Sequence, residues 1–242
     1  MGKMKTTRRE LAAAFRWAAR LGYHEAVANH FSVAVSDDGQ QFLVNPVGSH
    51  FSRIRASDLV LVDTSAEGKS LDFGVDPTAW VLHSHIHRHV PHARCILHTH
   101  MRYATTLACL ENYEFQMVDQ NACRFHGTIA YDRNYSGLAL DPEEGERVAK
   151  LFGGDKEVLF LGNHGVMVVG SSVADAFDLL YYLEKASEVQ VLALSTGRDL
   201  SIIPDEVASH AAKQWRNYPN AARLHMDALM AILDEESPDY AK

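Results

Sequence analysis

The run Cys95-Ile96-Leu97-His98-Thr99-His100 is a short β-prone stretch that carries two histidines two residues apart. Because side chains alternate along a β-strand, His98 and His100 project from the same face, about 7 Å apart at the backbone and within reach of one ion. The pair therefore predicts a strand that ends in a metal site. The alternative is two half-buried polar residues on a strand, which the pair alone does not exclude.

A third histidine, His164, lies in the turn Asn163-His164-Gly165 between two apolar runs. At the junction of two strands, a side chain can point into a cleft instead of packing into the core. Three imidazoles with an open fourth position are typical of catalytic zinc, whereas structural zinc is usually closed by four protein ligands. His98, His100 and His164 are therefore candidate metal ligands.

The segments around these histidines predict a largely antiparallel sheet with helices at both ends and in the middle. Short β-branched or aromatic runs separated by turn signals predict further strands, and apolar residues at helical spacing predict helices. This pattern indicates an α/β sandwich, not the regular βαβ alternation of a doubly wound fold. Without a linker or repeat, we expect one domain over residues 1–242. The predicted strands are 31–35, 41–44, 59–63, 95–100, 158–161 and 166–169, and the predicted helices are 8–21, 79–89, 102–110, 173–194 and a helical tail from residue 201.

Composition narrows the classes of partner. The 242 residues include 23 Lys and Arg against 31 Asp and Glu, with no cation-rich run, which argues against nucleic-acid binding and favours a small-molecule substrate. No window approaches the roughly twenty apolar residues of a membrane span. The three cysteines form no Cys-x-x-Cys pair, which indicates reduced thiols and a cytoplasmic location.

Several segments, in the same order along the chain, resemble the class II aldolase/adducin family. The resemblance implies a three-layer α/β/α sandwich with a mainly antiparallel central sheet, and a homotetramer with active sites near subunit interfaces. It also implies a divalent metal, most often Zn²⁺, bound by His98, His100 and His164; Fe²⁺ or Mn²⁺ is the alternative, since imidazole suits several of these ions. The segments are Ile96-Leu97-His98-Thr99-His100, Leu161-Gly162-Asn163-His164-Gly165-Val166, residues 176–190, Asn29-His30-Phe31-Ser32, Asn45-Pro46-Val47-Gly48 and Ala56-Ser57-Asp58-Leu59-Val60.

The chain departs from the sugar-phosphate aldolases of that family at three places. Ala79 stands where those aldolases have the glutamate that serves as acid/base, and a methyl group cannot relay a proton. Asn29-His30 replaces a Gly-Asn pair, and Pro77-Thr78 replaces a pair of serines, which weakens a phosphate cradle. These differences resemble the adducin-like branch and favour a substrate without phosphate.

Other residues are candidates for the site or for its surroundings. His83 and Tyr131 are the predicted acid/base groups, because an unperturbed histidine titrates near neutrality and a tyrosine carries a phenol. The family match makes Asn29 and Gly48 the predicted substrate-binding residues. The remaining histidines nearby are expected on a solvated helix face and the turn after it, and Glu184 is expected to be a solvated or interface charge; those histidines are His85, His87, His89 and His92.

The leading functional hypothesis is a metal-dependent lyase. It would act on a small hydroxy-carbonyl or keto-acid substrate, by aldol cleavage or decarboxylation, through a metal-stabilised enolate. One alternative is a non-catalytic adducin-like binding or assembly module. The other is a metal-dependent oxygenase that holds iron at the same three histidines.

Overall fold

The computed structural model describes residues 2–66 and 70–242. The strands in this part of the chain are β1 (His30–Ala34), β2 (Gln41–Val44), β3 (Val60–Asp63), β4 (Cys95–Thr99), β5 (Ile129–Asp132), β6 (Val158–Leu161) and β7 (Gly165–Gly170). They form one sheet in the order β3-β2-β1-β4-β7-β6-β5. All neighbouring strands are antiparallel except β5 and β6, which are parallel. The predicted mainly antiparallel sheet is confirmed.

Helices cover both faces of this sheet. α2 and α4 share an apolar cluster on one face, while α1, α3, α5 and α7 belong to the larger cluster on the other face. α6 packs against the 3-10 helix Ala122–Phe125. The three-layer α/β/α sandwich is thereby confirmed. The helices are α1 (Gly2–Leu21), α2 (Pro77–His89), α3 (Arg102–Ala108), α4 (Pro142–Leu151), α5 (Val173–Ser195), α6 (Asp205–Arg216) and α7 (Ala221–Glu236), with further 3-10 helices at Phe51–Arg53, Ser70–Phe73 and Pro238–Ala241.

Local sequence explains the start of α2, the helix that carries His83. Asp76 is its N-cap and accepts hydrogen bonds from the backbone N–H groups of Thr78 and Ala79. Pro77 follows at the first helical position, where its missing N–H costs nothing. The helix ends at His89, two residues before Pro91. No helix in the described ranges is long and apolar enough to cross a membrane.

The strand register brings the predicted ligands together. β4 lies between β1 and β7, with His98 opposite His30 on one side and opposite Met167 on the other. Thr99 pairs with Val166, so the short turn between β6 and β7 lies beside the end of β4. This turn carries His164, which therefore reaches the two histidines of β4.

Candidate metal centre

The close approach of β4 to the β6–β7 turn depends on two residues that flank His164. Asn163 has a φ of 56°, a left-handed conformation that asparagine tolerates better than most residues. A Cβ atom at Gly165 would lie 2.6 Å from the carbonyl oxygen of Thr99 and 2.8 Å from Cδ2 of His100. Because only glycine avoids these clashes, Gly165 lets the turn pack directly against the end of β4.

His98, His100 and His164 form a compact triad of rings. Their ring centroids are 4.8 to 5.0 Å apart. One ligand nitrogen from each ring lies within 4.8 Å of the others. His98 is buried, whereas His100 and His164 are partly exposed, so the triad is reachable from solvent.

The hydrogen bonds of His98 and His100 show that this triad suits a metal ion. The Nδ1–H group of His98 donates to the carbonyl oxygen of Val166 (3.0 Å), and that of His100 donates to the carboxylate of Glu25 (2.6 Å). Neither acceptor carries a proton to give, so with one proton on each ring both Nε2 atoms carry lone pairs. These two atoms are 3.2 Å apart.

Two lone pairs at this distance repel each other unless a cation lies between them. Tetrahedral zinc, with Zn–N bonds of about 2.0–2.1 Å, holds two ligand nitrogens roughly 3.3 Å apart. The 3.2 Å separation of the Nε2 atoms of His98 and His100 fits this geometry. The donor set therefore fits a divalent metal, with Glu25 as an outer partner that fixes the ring of His100.

Burial favours the neutral, metal-binding form of two members of the triad, His98 and His164. Burial, with the neighbouring histidines, lowers the pKa of His98 well below its usual range. Burial, with the neighbouring ring of His100, lowers the pKa of His164 to about 4. Near neutral pH these imidazoles are therefore available as ligands without losing a proton.

His83, a predicted acid/base group, lies in the interior behind the triad and has no contact with solvent. It is fully buried, and both of its ring nitrogens are engaged, one with Nδ1 of His30 (2.6 Å) and the other with the hydroxyl of Ser32. Ala79, one turn earlier, packs in an apolar cluster with Phe42 and its neighbours, and no carboxylate stands in its place. The catalytic role of His83 stays a prediction.

Tyr131, the other predicted acid/base group, faces the opposite side of the sheet from His98. Its ring stacks on Phe160 in the larger apolar cluster, and its hydroxyl accepts a hydrogen bond from the N–H of Phe115 (2.8 Å). Burial raises the pKa of this phenol. The structure does not bring Tyr131 together with the triad, and its role stays a prediction.

The two predicted substrate-binding residues lie in loops on the β1 side. Asn29 is buried, and its side-chain oxygen accepts from the N–H of Glu25 (2.7 Å). Its side-chain nitrogen has no hydrogen-bond partner among the described residues. Gly48 has a φ of 73° and open space around its Cα. An unpartnered buried amide is a feature that a ligand would satisfy, and both roles stay predictions.

Sequence reasoning missed Glu25, His30 and His87. His87, expected on a solvated face, is only 3% exposed, so that interpretation was wrong. The signal was present, because His83 and His87 are four residues apart on α2 and share the face of the buried Ile86. Glu25 and His30 gave no such signal, since only the fold brings them to the triad.

Comparisons with known proteins agree with this geometry. The family model described as Class II Aldolase and Adducin N-terminal domain matches residues 9–191, which include all three histidines. The decarboxylase NovR of Streptomyces niveus is 30% identical over 238 residues, 94% of this chain and 87% of that protein. Alpha-adducin of Rattus norvegicus is 32% identical over 206 residues, 83% of this chain and 28% of that protein. A solved aldolase II superfamily protein from Pseudomonas syringae has a TM-score of 0.88 and 33% identity, covering 100% of this chain and 97% of that one.

Proposed function

Because the chain belongs to the class II aldolase and adducin family, we propose that it is a metal-dependent lyase acting on a small hydroxy-carbonyl or keto-acid substrate. The pair of Nε2 lone pairs of His98 and His100, 3.2 Å apart with His164 beside them, carries this proposal. The similarity of this protein to a decarboxylase over most of both sequences supports lyase chemistry.

The proposed ion is Zn²⁺, with Fe²⁺ and Mn²⁺ as alternatives, held by His98, His100 and His164. A bound divalent ion supplies Lewis-acid stabilisation for the negative charge that develops on a substrate oxygen when a C–C bond breaks, in aldol cleavage or decarboxylation. The protein's own contribution is to hold three imidazoles in place. Glu25 fixes the orientation of His100.

The start of α2 supports a substrate without phosphate. Helix N-termini bind phosphate through free N–H groups, but here Asp76 already accepts from the N–H groups of Thr78 (2.9 Å) and Ala79 (3.3 Å). The hydroxyl of Thr78 also donates to this carboxylate (2.6 Å). A phosphate would have to displace a bound carboxylate of the same charge sign, so we propose a hydroxy-keto acid in place of a sugar phosphate.

A homotetramer with sites near subunit interfaces is part of the same proposal. The segment that follows β5 carries exposed apolar side chains: Tyr135 is 56%, Leu138 72% and Leu140 53% exposed. The ring of Tyr135 lies 6.3 Å from that of His164. An apolar surface of this kind beside the triad is what a subunit contact near the site would cover.

Elemental analysis combined with turnover tests the proposal. The parent protein should carry one divalent ion per chain, sediment at four chain masses, and cleave or decarboxylate a member of a hydroxy-keto acid panel without oxygen. The double variant His98→Ala/His100→Ala should lose both metal and turnover, while His89→Ala, a change of an exposed histidine on α2, should keep both.

Three results would contradict the lyase proposal. A metal-free parent, or a metal-loaded parent without turnover on any panel member, would favour a non-catalytic binding module of the adducin kind. A strict requirement for oxygen together with iron would favour an oxygenase.

A further inference from the structure

A buried hydrogen-bonded chain runs from the far end of α2 to the metal centre. Nδ1 of His87 lies 2.8 Å from the carbonyl oxygen of Ala93, and its Nε2 lies 2.7 Å from the hydroxyl of Ser32. This hydroxyl contacts Nδ1 of His83, whose Nε2 lies 2.6 Å from Nδ1 of His30. None of these four side chains is more than 3% exposed.

The direction of every hydrogen bond in this series follows from the bond between His87 and the carbonyl oxygen of Ala93. A carbonyl oxygen only accepts, so His87 must carry its proton on Nδ1 and accept on Nε2 from Ser32. Ser32, having donated its only proton, accepts from Nδ1–H of His83. His83 then accepts on Nε2 from Nδ1–H of His30.

The rings in the middle of the chain are neutral, as this assignment requires. Burial lowers the pKa of His87 to about 3 and that of His83 well below its usual range. With one proton on each ring, the four side chains have a single consistent pattern of donors and acceptors. That pattern leaves Nε2 of His30 with a lone pair.

This lone pair has no good donor in the described part of the protein. The hydroxyl of Thr78 is 3.4 Å away, but its one proton goes to Asp76 at 2.6 Å, the much shorter contact. The ring of His30 lies against that of His98, with centroids 4.8 Å apart. Burying a hydrogen-bond acceptor without a donor is costly. Since His30 lies beside the triad, a molecule bound at the triad would supply the missing donor.

We infer that the chain Ala93–His87–Ser32–His83 holds His30 as the Nδ1–H tautomer, so that Nε2 of His30 accepts a hydrogen bond from a hydroxyl group of the substrate. This inference rests on the proposed function for the presence of substrate at the triad. His30 is then a residue that contacts substrate, whereas His83, Ser32 and His87 are positioning residues. The inference also narrows the substrate class to molecules that carry a hydroxyl group near the group bound at the triad.

Nitrogen NMR of the histidine rings tests the tautomer directly. In the full chain, metal-free and loaded with Zn²⁺, His30 should show a protonated Nδ1 and a bare Nε2, the reverse of the tautomer that free histidine favours in water. Ser32→Ala should abolish this single tautomer. The matched control Ser84→Ala removes another buried hydroxyl, one that donates to Val81 within α2, and should leave it unchanged.

His87→Phe gives a second test should Ser32→Ala fail to fold. The new ring would sit beside Phe42, whose ring already lies 5.1 Å from that of His87, and the change removes the acceptor for Ser32. Loss of the single His30 tautomer is again expected. A proton on Nε2 of His30 in the parent, or an unchanged tautomer in a folded variant, would overturn the inference.

Two matched probes test the contact with substrate. With Zn²⁺-loaded protein, 4-hydroxy-2-oxopentanoate should shift the Nε2 resonance of His30, whereas 2-oxopentanoate, which lacks the hydroxyl, should not. Equal shifts, or none with either acid, would overturn the hydroxyl contact. A hydroxyl-specific shift without any turnover would instead contradict the lyase proposal and leave this inference standing.

Discussion

At the scale of single residues, Glu25 is the outer partner on which the orientation of His100 depends. Its carboxylate accepts from Nδ1–H of His100 at 2.6 Å, although 67% of its side chain is exposed. Losing an outer partner of a metal ligand typically weakens metal affinity by about 10–100-fold. We expect Glu25→Ala to weaken Zn²⁺ binding within this range, measured by competition with a chelator.

Glu25→Gln is the matched control for this change. Its amide oxygen still accepts from His100, so most of the affinity should remain. Equal Zn²⁺ affinities for the parent and Glu25→Ala would show that Glu25 does not support the site.

The sequence predicted the triad but not the groups that orient it. His98 and His100 share a face of one strand, and His164 lies in a turn, so local pattern was enough to find them. His30 became visible only through the pairing of β1 with β4, which sets it opposite His98. Glu25 reaches His100 from a loop 75 positions earlier in the chain, a contact that no local spacing encodes.

At the scale of elements, α3 begins two residues after His100 of the triad and depends on α5 to cap its first turn. Glu184 of α5 accepts from the N–H groups of Tyr103 and Ala104, both at 2.9 Å, and is only 5% exposed. The expectation of a solvated or interface charge was wrong, because a carboxylate at a helix N-terminus satisfies free N–H groups there.

Glu184→Gln should therefore lower the free energy of unfolding by about 1–3 kcal/mol, because the amide turns an N–H donor towards a backbone donor. The shift in the midpoint of urea unfolding measures this loss, provided that the dependence of the free energy of unfolding on urea concentration is unchanged. Glu188→Gln, one turn later and paired with Lys185 near the surface, should change it by less than about 0.5 kcal/mol. Equal effects of the two variants would contradict the capping role.

The element predictions succeeded for apolar segments and missed a short, mostly polar helix. The strand predicted at 41–44 and the long helix predicted at 173–194 lie within a residue of β2 and α5. α4 was missed, although Pro142 and two acidic residues mark its first turn. Its ten residues bury only Gly145, Val148 and Ala149, so it carries too few apolar residues to stand out from the polar sequence around it.

At the scale of the whole molecule, the buried histidines between the sheet and α2 should make the fold sensitive to acid. Burial lowers the pKa of His87 to about 3, whereas in the unfolded chain a histidine titrates near about 6.5. Between these values the unfolded state binds more protons than the folded state. The free energy of unfolding therefore falls as pH drops below about 6.5, by up to about 1.4 kcal/mol per pH unit for each such histidine.

Urea unfolding between about pH 7.5 and about pH 5.5, with a chelator present so that metal release does not contribute, measures this slope. The parent should lose stability on acidification, and His87→Phe should lose less per pH unit because one of the titrating groups is gone, whatever its absolute stability. His89→Phe changes an exposed histidine on the same helix and should keep the slope of the parent. If His87→Phe and the parent had the same slope, the acid sensitivity would have to come from groups other than this buried ring, and the neutral hydrogen-bonded chain beneath the triad would lose its support.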